Sequence, residues 1–159
     1  MPKISLDRTD RRILEQLQAD GRLSNQELAE RVLLSPSPCL RRVRALERSG
    51  VIQRYAAMLD PLRVGLELLA YVSVKLEKRG KMPVDQFTRA VQSWPEVITC
   101  FSMTGDMDYL MRVQVENLAH YSRFIMDKLL KQPGVIDIRS NFVLERVKET
   151  TALPLEQLA

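Results

Sequence analysis

The sequence has few of the residues on which disulfides, metal sites and histidine-dependent catalysis rely. Its two cysteines, Cys39 and Cys100, lie far apart with no cluster of metal-ligating residues around either, so we expect neither a disulfide framework nor a metal site. We interpret both as buried thiols. The one histidine, His120, falls in a predicted helix without a candidate nucleophile, which argues against His-dependent catalysis but leaves other chemistries open.

Long apolar runs are also missing. No stretch approaches the roughly 20 residues that a membrane-crossing helix needs. The N-terminus does not have the basic-then-apolar plan of a signal peptide. We therefore expect a cytoplasmic protein that does not contact a membrane.

Positive charge is in excess only in the first third of the chain. Residues 1–54 contain 11 Lys and Arg against 7 Asp and Glu, whereas residues 55–159 contain 13 of each sign. The whole formal charge of +4 is therefore in the first segment. Clustered positive charge followed by a neutral segment suits a polyanion-binding module joined to a second domain, although +4 is common among ordinary proteins.

Helix-capping residues predict two short helices near the N-terminus. Asp7 caps the first, whose apolar stripe consists of Ile13, Leu14 and Leu17. Ser24 and Glu27 have the spacing of a capping box, which predicts a short second helix.

A third helix is predicted between Ser35 as its cap, with Pro36 at the first position, and Gly50 as its stop. At about 100° per residue, one face is apolar and the opposite face is basic. The apolar stripe consists of Cys39, Val43 and Leu46, and the opposite face of Ser37, Arg41, Arg44 and Arg48.

A short helix, a tight turn and a helix with a basic face are typical of a helix-turn-helix. Such a helix fits the major groove of double-stranded DNA, where arginines bond guanine edges or phosphates. The alternative is a merely solvated surface helix, but a solubilising face normally intersperses Glu among its cations, and Glu47 lies off this face.

The next residues, 53–60, have a strand-like pattern. They form either a wing, with Arg54 near a phosphate, or a plain connecting strand.

Alternation and turn residues predict four strands and two helices in the second part. The strands are predicted at 68–77, 96–103, 108–115 and 135–148, the first ending at the run 78–81, and the helices begin at Pro83 and after Asn117. The order βαββαβ implies a ferredoxin-like four-stranded sheet with both helices on one side. Because the strands have apolar residues on both faces, we expect the open face to pack against a second copy, giving a two-fold dimer.

The chain resembles the Lrp/AsnC (feast/famine) family of transcription regulators over essentially its whole length. The resemblance rests on LDRTDRRIL at 6–14, LSPSPCLRRV at 34–43, LE and GVI at 46–47 and 50–52, and GDMDYL at 105–110. One position departs from the pattern: Leu33 stands where the turn between the second and third helices usually has glycine. A left-handed conformation there costs a non-glycine residue roughly 1–2 kcal/mol.

The resemblance implies how such a protein works. Members dimerise through their sheets, often assemble further into rings such as octamers, and bind an amino-acid effector between dimers near the turn at 105–109. It implies an effector site at Gly105, Asp106, Asp108 and Tyr109, with Ser140 and Phe142 as pocket walls. Asp108 has a second interpretation, in which it orients the turn. The Ser-Pro stretch and the end of the chain look most like members that respond to leucine or methionine.

The sequence thus predicts an α+β protein with four segments: a winged helix-turn-helix at 1–54, a wing or linker at 55–66, a βαββαβ domain at 67–150 for effector binding and oligomerisation, and a tail at 151–159. We expect an amino-acid-responsive transcription regulator that is not an enzyme and needs no cofactor. An architectural DNA-binding protein without an effector, or an enzyme on a ferredoxin-like dimer, remains an alternative. The predicted DNA-binding residues are Ser35, Ser37, Pro38, Leu40, Arg41, Arg44, Arg48 and Arg54.

Overall fold

The computed structural model of the chain describes residues 5–77 and 82–158. Within them, residues 5–58 and 148–158 form one compact unit, and residues 59–147 form a second. The first unit is helical, and the second contains the sheet. The strand-ending run predicted at 78–81 lies outside the described residues.

Three helices make up the first unit: α1 (Arg8–Ala19), α2 (Asn25–Arg31) and α3 (Pro36–Arg48). Asp7 and Ser24 cap α1 and α2 as the sequence predicts, with Asp7 accepting from the Asp10 N–H and Ser24 from the Glu27 N–H. Both caps are capping boxes, which the sequence analysis predicted only for α2. Ser35 is at the N-cap of α3, but its side chain makes no capping hydrogen bond. Pro36 at the first position has no N–H to satisfy, so this helix start depends less on a cap.

Leu33, in the turn between α2 and α3, has the left-handed φ of 59° that its position requires. Its side chain is 83% exposed, so no packing in this chain compensates for the strain. The backbone does hold the turn, because the Leu33 and Leu34 N–H groups donate to the carbonyls of Glu30 and Ala29.

A small apolar core joins the three helices. It contains Ile13, Leu14, Leu28, Ala29, Val32, Cys39 and Leu46. Burial raises the pKa of the Cys39 thiol, as expected for a packing residue. Two residues near the end of the chain, Leu155 and Leu158, pack against the same core.

The strand predicted at 53–60 is wrong. These residues belong to no strand or helix, and a 3-10 turn at Leu62–Val64 follows them. Alternating residues indicate a strand only where a neighbouring strand supplies hydrogen bonds, and the first unit contains none among its described residues.

The second unit is a four-stranded antiparallel sheet with helices on one face. In chain order its elements are β1 (Leu68–Leu76), α4 (Met82–Ser93), β2 (Val97–Ser102), β3 (Tyr109–Val115), α5 (Leu118–Arg123) running into a π-helical segment (Phe124–Leu129), and β4 (Val135–Phe142). The strand order β2-β3-β1-β4 confirms the predicted ferredoxin-like fold. The last strand ends at Phe142 and not at residue 148, because its ladder with β1 stops where Phe142 meets Ala70.

The sheet has one covered and one open face. Alternate residues of the two central strands are fully buried against Phe87, Trp94 and Phe124 of the helices. On the other face, Tyr71 and Phe101 are 38% and 55% exposed. The predicted apolar open face is therefore present in the structure.

Candidate functional site

The exposed side of α3 carries three arginines. Arg41, Arg44 and Arg48 lie within an arc of about 60° on the helix, together with Ser37, and all four are exposed. Within residues 5–77 and 82–158 these arginines have no ion-pair partner. Their guanidinium groups are free to meet an acceptor outside the chain.

Arg42, in the middle of the same run, has a different environment. Its Nη1 lies 2.8 Å from Asp7 Oδ2 and 2.9 Å from Asp10 Oδ1, at the start of α1. The Asp10 N–H and the Arg42 guanidinium hold the pKa of the Asp7 carboxyl below its ordinary value. Arg42 thus fixes α3 against α1, a role that the sequence analysis missed. Helical spacing places Arg42 off the basic face, and this spacing is the sequence signal that could have separated Arg42 from the other arginines.

The other predicted DNA-binding residues surround this face. Ser35 is exposed at the start of α3, Pro38 and Leu40 are half-buried on its flanks, and Arg54 is exposed just beyond the helix. Asn25 steadies the start of α3, because its Nδ2 donates to the Pro36 carbonyl at 2.9 Å. The structure brings the α3 residues together on one surface.

Three of the predicted effector residues, Gly105, Asp106 and Asp108, lie in the turn between β2 and β3, and Tyr109 is the first residue of β3. Gly105 has a φ of 113°, a conformation that side-chain-bearing residues rarely adopt, and no atom lies within 4 Å of where a Cβ would be. Asp106 is exposed, with no ion pair among the described residues. The turn therefore presents open backbone and a free carboxylate.

Asp108 anchors the turn to β1. Its Oδ2 accepts the Leu76 N–H at 2.7 Å, its own N–H donates to the Val74 carbonyl at 2.9 Å, and its carbonyl accepts from the Met103 N–H at 2.8 Å. This is the contact expected of a residue that orients the turn, the second of the two interpretations of Asp108.

A cleft of about 260 Å³ lies beside the anchored turn. Tyr109 is half-buried in its wall, and its ring contacts that of Phe87 at a tilt of 47°, with centroids 4.8 Å apart. Burial, with Cys100 and Asp108 nearby, raises the pKa of its hydroxyl. The described residues that line the cleft are Leu76, Glu77, Val84, Ser102, Met103, Asp108 and Tyr109. The sequence analysis predicted only Asp108 and Tyr109 among them. It missed Leu76 and Glu77 because only strand register shows that the end of β1 runs beside the turn.

Ser140 and Phe142 are not part of this cleft. They lie on β4, opposite Val72 and Ala70, whereas Tyr109 lies opposite Val74, further along β1 and on its other side. Their neighbour is Tyr121 of α5, whose hydroxyl bonds the Ser140 hydroxyl and whose ring meets Phe142 edge-on at 5.0 Å. Within one chain, the two predicted groups form separate environments.

The described residues contain neither a cluster of metal ligands nor a membrane-spanning helix. Within residues 5–77 and 82–158, no group of three or more His, Cys, Asp or Glu side chains lies close enough together to hold a metal ion. Over the same residues, each helix is too short or too polar to cross a bilayer.

Two family models match the two parts of the chain. Residues 6–53 match a model described as a winged helix-turn-helix DNA-binding domain. Residues 69–153 match the Lrp/AsnC ligand-binding domain. The first match contains α1 to α3, and the second contains the sheet with its cleft.

Individual relatives are similar over nearly the full length. Leucine-responsive regulatory proteins of Escherichia coli K12 and Salmonella typhimurium are each 44% identical over 155 residues, covering 98% of this chain and 94% of theirs.

Among solved structures, a transcriptional regulator of Neisseria meningitidis in complex with L-Met is 47% identical, with a TM-score of 0.94, and the match covers 97% of this chain and 99% of that one. An AsnC family regulator of Agrobacterium tumefaciens is 38% identical, with a TM-score of 0.91, over 97% and 100% of the two chains.

These matches cover the DNA-binding helices and the sheet alike, and they leave no part of the described fold outside the resemblance. The chain therefore belongs to the Lrp/AsnC family of transcription regulators, DNA-binding proteins with a ligand-binding domain and not enzymes.

Proposed function

We propose that this regulator responds to an apolar amino acid such as leucine or methionine by changing its DNA affinity or its assembly. The observation that carries the proposal is the cleft beside the 105–109 turn, in a chain that is 47% identical to a regulator crystallised with L-Met. A cytoplasmic location, which we also propose, gives access both to DNA and to free amino acids.

The proposed DNA-reading surface is the exposed side of α3. With Arg42 occupied by Asp7 and Asp10, the guanidinium groups left for DNA are those of Arg41, Arg44 and Arg48. An α-helix fits the major groove, and a bidentate arginine discriminates guanine from other bases by about 1–3 kcal/mol. Ser35, Ser37, Pro38, Leu40 and Arg54 complete the proposed contacts.

The proposed ligand site combines the cleft with the turn. Leu76, Val84 and Met103 give the cleft an apolar lining, and its size lies just below the range of about 300–1,000 Å³ typical of small-molecule sites. Backbone N–H groups around Gly105 suit a carboxylate, and Asp106 suits an ammonium. Because Asp108 already accepts the Leu76 N–H, we assign the ammonium to Asp106.

We further propose that a second copy covers the open sheet face, with Tyr71 and Phe101 at the contact. A two-fold dimer presents two α3 helices to a pseudo-palindromic site. Higher assemblies such as octamers, which the family resemblance implies, would bring Ser140 and Phe142 of one copy near the turn of another.

A thermal-shift titration with each of the twenty amino acids tests the ligand proposal. We expect L-Leu or L-Met to raise the melting temperature, since a ligand that binds only the folded state stabilises it. Asp106→Ala removes one charge-assisted hydrogen bond, so its affinity for the ligand falls about 10- to 100-fold.

Asp127→Ala is the matched control, because it also removes an exposed carboxylate, one that pairs with Lys131 at 3.1 Å away from the cleft. Its ligand response equals that of the wild type. If none of the twenty amino acids shifts the melting temperature, the chain is better described as an architectural DNA-binding protein without an effector.

A further inference from the structure

Residues 150–158, which we name the strap, are attached to α1 through a side chain that imitates a neighbouring strand. Gln18 Nε2 donates to the Leu153 carbonyl at 3.1 Å, and the Leu153 N–H donates to Gln18 Oε1 at 2.6 Å. A primary amide has one donor side and one acceptor side, so it pairs with the N–H and carbonyl of one residue as an antiparallel strand does. Pro154 follows, and the residue before a proline favours the extended conformation that this pairing needs.

The strap follows one flank of α1. Leu155 and Leu158 pack against the core of the helical unit, and Arg11 Nη1 donates to the Leu158 carbonyl at 3.4 Å. Arg11 and Gln18 lie about 10 Å apart along the helix axis and within about 20° around it. Since Leu158 meets Arg11 and Leu153 meets Gln18, the strap runs antiparallel to α1.

The helical unit is small without the strap. Its three helices have 12, 7 and 13 residues, and helices of this length are marginal in isolation. A segment of about 60 residues, such as 5–58, also buries too little surface to be more than marginally stable as a domain. Two leucines from the strap are therefore a large addition to a core in which the described residues include seven that are buried.

The helix that binds the strap also holds α3. Asp10, which precedes Arg11 in α1, lies 2.9 Å from the Arg42 guanidinium of α3. Consecutive residues of α1 thus contact the strap and the DNA-facing helix. The helix-turn-helix family model ends at residue 53, and residues 154–158 lie outside both family models.

We propose that the strap is a structural element of the DNA-binding unit, and that its docking keeps the three helices folded. Release of the strap lowers the stability of this unit and leaves the core of the sheet unit intact, because the two units have separate cores. The strap thereby extends the temperature range in which α3 can bind DNA. This last step rests on the proposed DNA-reading surface.

Amide hydrogen exchange on the full-length protein tests the stabilisation. In the double variant Leu155→Ala, Leu158→Ala we expect the Ile13 amide, in the middle of α1, to exchange about tenfold faster, because the variant removes apolar packing from the core. The Val72 amide, in the central strand β1, keeps its rate.

Two matched controls separate packing from the other strap contacts. Leu153→Ala removes a strap leucine that is 70% exposed and retains its backbone bonds to Gln18, so exchange in α1 equals that of the wild type. Gln18→Ala removes the pairing amide and exposes the Leu153 N–H to exchange. Gln26→Ala, an exposed glutamine on α2, retains the protection of Leu153.

The consequence for DNA is measured by gel shift at increasing temperature, with a duplex that the wild type selects from random-sequence DNA. In the double variant we expect half of the binding to be lost about 5–10 °C below the wild-type temperature, the shift that a tenfold loss of protection implies. Fluorescence of Trp94, buried in the sheet unit and the only tryptophan in the sequence, keeps its melting temperature.

Unchanged exchange of Ile13 in the double variant overturns the proposal, and so does an equal acceleration of Ile13 and Val72. A Leu153 amide that exchanges in the wild type as fast as in an unstructured peptide also overturns it. A wild type that selects no DNA sequence contradicts the proposed function instead, and the exchange rates then still decide whether the strap stabilises the helices.

Discussion

Neighbouring arginines on α3 differ in what they contact. Arg42 is 35% exposed and is held by two carboxylates at the start of α1, whereas Arg41 and Arg44 are exposed without an ion-pair partner in the part of the chain that the structure describes. One arginine therefore serves the packing of helices, and its neighbours are left for an external acceptor. Loss of a guanidinium has different consequences at the two kinds of position.

Arg44→Ala is expected to weaken operator binding about tenfold, since one arginine–base contact is worth about 1–3 kcal/mol. Its free energy of unfolding changes by less than about 0.5 kcal/mol, as is usual for an exposed residue. Arg42→Ala does the reverse: stability falls by about 1 kcal/mol through loss of the contacts to Asp7 and Asp10, and operator affinity stays within about twofold. Gel-shift titration and urea unfolding measure the two effects.

The assignment of α3 fails if Arg44→Ala binds the operator like the wild type. The assignment of Arg42 fails if Arg42→Ala unfolds at the same urea concentration as the wild type.

Residue-level prediction from sequence succeeded where helix geometry alone decides. A period of 100° separated Arg44 from Cys39 without any knowledge of tertiary structure. It missed the partners of Arg42, because Asp7 is 35 positions away and only the folded chain brings it close. It also left Asp108 with two interpretations, since the Leu76 N–H that it accepts becomes available only when β1 pairs with β3.

At the scale of elements, the turn between α2 and α3 stores strain. Leu33 adopts a φ of 59° with its side chain in solvent, so the side chain contributes little that offsets the conformational cost. The helix before the turn, α2, has only seven residues. Relief of this strain is therefore expected to be measurable in the stability of the unit.

Leu33→Gly is expected to stabilise the protein by about 0.5–1 kcal/mol. The substitution relieves the cost of the left-handed conformation, and part of that gain is lost because glycine increases the entropy of the unfolded chain. Differential scanning calorimetry should show a rise of a few degrees in the melting temperature. Leu33→Ala is the control, because it removes the exposed side chain and retains the strain. A melting temperature of Leu33→Gly at or below that of Leu33→Ala contradicts this account.

Elements were predictable where local chemistry marks their ends. Capping residues such as Asp7, Ser24 and Asn117 are at the starts of α1, α2 and α5 as predicted. The two errors concern strands. Residues 53–60 alternate without a partner strand, and β4 ends at Phe142 because its ladder with β1 ends there. Strand length depends on a neighbour that lies far away in sequence.

At the scale of the whole molecule, the sheet is covered on one side only. Phe101 on β2 is 55% exposed and is paired with Leu110 on the open face. Exposed apolar surface of this kind marks a contact site. Its position on a sheet face favours another sheet as the partner.

Phe101→Glu is expected to shift the protein from dimer to monomer, because a charge at an apolar contact loses hydration without a partner. Sedimentation velocity at micromolar concentration measures the change, and far-UV circular dichroism shows that the fold remains. Leu118→Glu provides the control: it is 58% exposed on α5, away from the sheet face, and should remain dimeric. A dimeric Phe101→Glu would place the contact elsewhere.

The buried Cys39 gives the helical unit a chemical probe of its own. Cys39 is fully buried in the helical core and Cys100 is half-buried beside the sheet core, and burial raises the pKa of both thiols. A thiol-specific reagent modifies Cys39 only when the helices around it separate, so the rate of modification reports local opening of that unit. The native chain can thus report the opening of its helical unit without an introduced label, and the half-buried Cys100 serves as the reference thiol that a reagent reaches more easily.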